Sequence, residues 1–101
     1  MPDFAADVTV DGETATLAIS GEVDLASAPG LRSELQRLDA RNLVVDLSGV
    51  TFIDSTGLGV LVAALKRTRE SGGQLTLRSP TRATRKVLDI TGLSQLVAIE
   101  D

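Results

Sequence analysis

The chain of 101 residues contains no cysteine and no histidine. Disulfides, thiolate chemistry and zinc sites of the Cys/His type are therefore excluded. Histidine general-base chemistry is excluded too, including any Ser-His-Asp arrangement. Tryptophan and tyrosine are also absent, and only two phenylalanines occur. The core must be aliphatic, built from Leu, Val, Ile and Ala. No apolar run approaches the roughly 20 residues of a membrane helix. Met1 to Asp7 carries two acids and no basic residue, so no signal peptide is expected. No G-x-G-x-x-G spacing and no Gly-Lys-Ser/Thr element occurs, which argues against a nucleotide loop. Cations are in the minority: the net charge is −4. That balance argues against direct nucleic-acid binding, which needs clustered positive charge. A reducing, cytoplasmic location without membrane attachment fits this composition.

What is present suffices for one compact core. Hydrophobic residues make up 43% of the chain, and its length predicts a single domain over residues 1–101. Val8-Thr9-Val10 and Thr14 to Ile19 alternate as strands do. Asp11-Gly12 between them, extended through Glu13, marks a hairpin. Gly21-Glu22-Val23-Asp24 then reads as a strand break. A helix follows from about Ala26 to Asp39, with Ala28, Leu31, Leu35 and Leu38 as its buried stripe. Ser27 or Asp24 is its expected cap, and Pro29 suits its first turn.

Asn42 to Leu47 reads as a central strand, with only Asp46 as a charge, and so covered on both faces or nearly so. A polar stretch, Ser48-Gly49-Val50-Thr51, separates it from Phe52-Ile53-Asp54-Ser55-Thr56-Gly57-Leu58-Gly59. A second helix leaves that junction, with Leu58, Leu61, Val62 and Leu65 at i, i+3, i+4, i+7. It should stop near Ser71-Gly72-Gly73. Gln74 to Arg78 alternates as a strand. Ser79 as a cap and Pro80 at the first helical position predict a third helix, Thr81 to Ile90, closed at Gly92. Leu96 to Ile99 is the last strand. The expected fold is α/β, in the order β-β-α-β-α-β-α-β. Its mixed sheet is mostly parallel after the opening hairpin, with three helices.

Ser55 is the focus. A strand handing over to a helix through a glycine-bearing turn exposes side chains and backbone N–H groups together. The plain reading is that Ser55, or Asp54 beside it, caps the helix. Capping and function are compatible, because a hydroxyl at a helix N-terminus is also a possible phosphate acceptor. The phosphate brings about two negative charges, which the helix end tolerates. Beside Asp54 that charge would repel an acidic or apolar partner surface. Gly57 and Gly59 each cost about 1 kcal/mol against alanine in a helix, and so ask for a reason. One reason is tight packing on the sheet, and another is an open approach to Ser55. On a helical wheel Val60 and Ala64 fall opposite the buried stripe, beside Arg67, with Gly59 and Ala63 on the adjoining flank. That arrangement suggests a flat docking face or simple tolerance of small residues. Asp24 is expected on the same sheet edge as Ser55. Arg78, Arg82, Arg85 and Lys86 read as a solvated helix face. Scattered acids without a His or Cys partner make catalysis improbable.

The stretch Val45 to Gly59, with its Asp54-Ser55-Thr56-Gly57-Leu58-Gly59 core, resembles the bacterial anti-sigma factor antagonists, the stand-alone STAS domains. Gly21-Glu22-Val23-Asp24, Gly72-Gly73 before a strand, and Leu88-Asp89-Ile90-Thr91-Gly92-Leu93 resemble further landmarks of that family, in order. The resemblance implies partner switching in a transcriptional stress response. The unphosphorylated form binds an anti-sigma factor, a serine kinase of GHKL type, and so releases a sigma factor. The kinase uses ATP and magnesium, so no cofactor belongs to this chain. It phosphorylates the serine after the motif aspartate, here Ser55, with Thr56 as a second hydroxyl. A PP2C-type phosphatase resets the cycle. Asp24 and Asp54 would flank the phosphosite, and Gly57, Leu58 and Gly59 would belong to the docking surface. The family often carries another helix after its last strand, whereas this chain ends at Asp101, so less cover is expected at that edge of the sheet. The competing readings are a constitutive STAS subunit of a transporter or signalling scaffold, with Ser55 only a cap, and a small enzyme.

Overall fold

A computed structural model of the chain describes residues 4–101. Strand β1 (Ala5–Asp11) turns back through Gly12-Glu13 into β2 (Thr14–Val23). Gly12 has φ +61, the positive value that two-residue hairpin turns favour. Then come α1 (Ala28–Arg37), β3 (Asn42–Ile53), α2 (Ser55–Glu70), β4 (Gln74–Arg78), α3 (Arg82–Ile90) and β5 (Ala98–Glu100). A single 3₁₀ turn, Leu93–Gln95, precedes β5. The five strands lie in the order β1-β2-β3-β4-β5. Only the β1–β2 pairing is antiparallel; the other three are parallel. The element order is the one the periodicities predict.

One face of the sheet carries the core. Leu17, Ile19, Val45, Leu47 and Leu77 are buried there with Leu31 and Leu35 of α1 and Leu61 and Leu65 of α2. On β2 and β4 burial alternates residue by residue, as a strand with one covered face requires. On β3 the expected near-complete cover is found over Asn42 to Leu47, where Leu43, Val44, Val45 and Leu47 are buried and Asn42 and Asp46 half-buried. Thr16, Ala18, Asp46 and Thr76 on the second face are half-buried, and Val44 is buried among them.

Two turns differ from expectation for one reason: strand pairing outweighs the local signals of glycine and polar residues. Gly21 does not end β2. It takes φ +91 between two register shifts in the β2–β3 pairing, and the strand continues to Val23. Shifts of this kind mark bulges, which bend a strand without ending it. Ser48 to Thr51 is likewise strand, not connector. Gly49 is required there, because a Cβ would lie 2.9 Å from the Ser20 Cβ. Helix α3 packs along this extension of β3, with the Thr81 hydroxyl 3.4 Å from the Val50 carbonyl.

The helix starts also shift. α1 begins at Ala28, with Ser27 in the cap position but no side-chain cap bond from it. α3 is capped by Thr81, whose hydroxyl accepts from the Thr84 amide, and not by Ser79. Ser79 has φ +52 and its amide donates to Glu100 of β5, so it belongs to the end of the sheet. Strand β5 starts at Ala98 because Leu93–Gln95 forms the 3₁₀ turn.

Candidate functional site

The site is assembled at the carboxyl ends of β2 and β3, which lie side by side. Val23 pairs with Ile53, and the Asp54 amide donates to the Val23 carbonyl at 3.1 Å. Asp24 and Asp54 therefore leave the sheet together. Asp54 is extended and stands at the N-cap of α2. Its Oδ1 accepts from the Gly57 amide at 3.0 Å, and its carbonyl accepts from the Leu58 amide at 3.0 Å. The cap is thus Asp54. Ser55 is the first helical residue and is exposed. Among the described residues, no hydrogen bond engages the Ser55 hydroxyl.

That hydroxyl sits in the first turn of a 16-residue helix, where the partial positive charge of the helix dipole is concentrated. No acidic residue lies within that turn. Thr56 is half-buried, which makes it the less accessible of the two hydroxyls.

The two glycines of the turn have different reasons. A Cβ on Gly57 would lie 2.6 Å from Val23 Cγ1 and 2.8 Å from the Val23 carbonyl oxygen. Gly57 is therefore a packing glycine that lets α2 sit directly on the end of β2. A Cβ on Gly59 would meet nothing within 4 Å. Gly59 is open to solvent, and packing does not require it.

The flat face expected on α2 is only partly there. Val60 and Ala64 are 4% and 3% exposed, not on an open side. Helix α2 is buried on two sides, against the sheet and against α1, and a wheel with one buried stripe misses the second. Leu58 is buried as well, at 8%. The exposed members of the expected surface are Ser55, Gly59, Ala63 and Arg67. They recur every four residues and so form one stripe along the helix. Arg67 ends it and has a structural task, since its Nη2 donates to the Leu35 carbonyl at 2.5 Å. That bond satisfies one of the free carbonyls at the end of α1.

Asp24 is held by its own turn. The Asp24 amide donates to Ser27 Oγ at 2.9 Å, and the Ser27 amide donates to Asp24 Oδ1 at 3.0 Å. Leu25, between them, is 73% exposed. Sequence reasoning missed Leu25; its signal is a large apolar side chain inside a polar turn. Phe52, half-exposed at the end of β3, was missed in the same way.

Among the described residues, no group of three or more acidic side chains is placed to hold a metal ion. No helix there is long and apolar enough to cross a membrane.

Comparison with known proteins agrees with this geometry. The family model described as "Mlab, STAS domain" matches residues 6–98. The chain belongs to the STAS domain family. Within it, the curated relative named "Anti-sigma-B factor antagonist" from Bacillus subtilis (strain 168) is 40% identical over 83 residues. That match covers 80% of this chain and 76% of the relative. A Listeria monocytogenes protein of the same name is 32% identical over 94 residues, covering 90% and 82%. The crystal structure of an anti-sigma factor antagonist from Mycobacterium paratuberculosis superposes with a TM-score of 0.88 at 27% identity. It covers 97% of this chain and 86% of that one. The resemblance carried by Asp54 to Gly59 thus holds at the level of family and of fold. In this STAS domain the motif forms the β3–α2 junction, with its aspartate as the cap and its serine free.

Proposed function

We propose that this STAS domain is an anti-sigma factor antagonist whose binding is switched off by phosphorylation of Ser55. One observation carries the reading: Asp54 supplies the cap, which leaves the exposed Ser55 hydroxyl without a structural task. The unphosphorylated surface around Ser55, Gly59 and Asp24 docks on an anti-sigma factor in the cytoplasm, and the sigma factor is released. The protein acts as a binding module and not as an enzyme.

The anti-sigma factor is read as a GHKL-type serine kinase that brings its own ATP and magnesium. In the transfer step Ser55 Oγ bonds to the γ-phosphorus, the bond to the β–γ bridging oxygen breaks, and ADP leaves. The hydroxyl proton passes to a base on the kinase. Thr56 is the alternative acceptor, and its partial burial argues for Ser55. A PP2C-type phosphatase removes the phosphate.

The physical basis of the switch is local. About two negative charges arrive at a helix N-terminus, which favours them, so the fold is kept. The same charges stand beside Asp54 and near Asp24, so the docking surface becomes strongly acidic. A hundredfold loss of affinity requires only about 2.7 kcal/mol. Like-charge contacts of several kcal/mol across an interface are sufficient for that.

Calorimetric titration of the host kinase tests the reading. Ser55→Asp is expected to lose binding, whereas Ser55→Ala binds and cannot be switched. Wild-type affinity in Ser55→Asp would remove the charge switch.

A further inference from the structure

Six large hydrophobic side chains are exposed among the described residues. Val8 and Val10 lie on the edge strand β1, and Ile90 and Leu96 lie near the end of α3 and the turn beyond it. Leu25 and Phe52 lie at the carboxyl ends of β2 and β3, beside Ser55. Leu25 is the one that stands in a turn closed by side-chain hydrogen bonds. An exposed leucine alone is ordinary. What distinguishes Leu25 is how rigidly it is presented, and where.

The turn is closed on both sides of it. The Asp24 amide bonds to Ser27 Oγ, and the Ser27 amide bonds to Asp24 Oδ1. The Ser27 hydroxyl donates to the Glu22 carbonyl at 2.8 Å. The Ala28 amide reaches the Asp24 carbonyl at 2.8 Å. The turn is also fixed to the phosphosite. The Val23 carbonyl accepts from the Asp54 amide, and Gly57 rests against Val23. The backbone that carries Leu25 is already ordered before a partner covers it, and that preorganisation favours binding.

We propose that Leu25 is an apolar anchor for the anti-sigma factor, held out beside Ser55 by the reciprocal hydrogen bonds of Asp24 and Ser27. The proposal rests on the reading of Ser55 given above. A kinase that takes Ser55 into its active site must also cover the neighbouring turn. It meets Leu25 with an apolar pocket. Leu25 thereby helps to determine which kinase is recognised, and Ser27 is a positioning residue.

The test uses the full chain and the host kinase that phosphorylates Ser55 with ATP and magnesium. Leu25→Ala is expected to weaken binding at least about tenfold, the loss typical of an interface anchor, with an unchanged Tm. In phosphorylation assays KM for the variant rises and kcat holds. Val10→Ala is the control, since Val10 is also exposed, at 64%, but pairs with Ala15 at the start of β2, the end opposite Val23. It is expected to bind like wild type. Ser27→Ala weakens binding when Leu25 is present and adds nothing in the Leu25→Ala background, and Ser27→Thr restores wild-type affinity. Binding by Leu25→Ala within about twofold of wild type, or an equal loss in Val10→Ala, overturns the anchor. Those results leave the Ser55 reading standing when wild type is still phosphorylated there. If wild type neither binds a kinase nor accepts phosphate at Ser55, that reading fails and the anchor falls with it.

Discussion

Two strand-to-helix turns lie side by side at the carboxyl ends of β2 and β3, and each carries an aspartate and a serine. In the first, Ser27 is engaged: its hydroxyl accepts from the Asp24 amide and donates to the Glu22 carbonyl. In the second, the aspartate caps α2 alone, through the Gly57 amide, and Ser55 follows it on the surface. The first serine stands in the N-cap position, and the second stands one residue past it. The Ser27 side chain makes no cap bond into α1 and is structural because it bonds back to the turn before the helix, whereas Ser55 makes no such bond. Residue type alone does not decide which hydroxyl is available.

The sharpest way to break this comparison is to delete each hydroxyl. Ser55→Ala should abolish phosphate incorporation by the kinase and leave stability within about 0.5 kcal/mol, as for other exposed positions. Urea denaturation and a phosphate-transfer assay read the two effects. Next in size is Gly57→Ala. Its added methyl meets Val23 at 2.6 Å, so the end of α2 must lift from β2. A loss of about 1–3 kcal/mol in urea denaturation is expected. Ser27→Ala comes third, at about 1 kcal/mol, since it removes two hydrogen-bond partners of one hydroxyl in a partly buried turn. It should still accept phosphate on Ser55 at saturating kinase, unlike Ser55→Ala. The smallest effect has the opposite sign. Gly59→Ala adds a methyl that meets nothing, within an exposed helix turn. It should stabilise by about 0.5–1 kcal/mol and raise Tm by a few degrees.

Much of this arrangement is legible in the sequence. The order of elements follows from alternation in Thr14 to Ile19 and in Gln74 to Arg78, and from helical spacing at Leu31-Leu35 and Leu58-Leu61-Leu65. The junction at Asp54-Ser55 is legible because an apolar strand meets a helix pattern through small polar residues. Three things depend on the fold itself. The burial of Val60 and Ala64 depends on α1 lying beside α2, which no single-helix pattern records. The continuation of β3 through Ser48-Gly49 depends on β2 approaching closely enough to exclude a side chain at Gly49. The contrast between Gly57 and Gly59 depends on Val23, which is distant in sequence. Each miss is a tertiary contact overriding a local signal.

The central claim is that Ser55 is the available hydroxyl and Ser27 is not. Phosphosite mapping by mass spectrometry, after incubation with ATP, magnesium and the host anti-sigma factor kinase, tests it most directly. The account predicts phosphate on Ser55 and none on Ser27 or Thr56. Phosphate on either of those residues would contradict it, as would an unmodified chain beside a kinase active on another substrate.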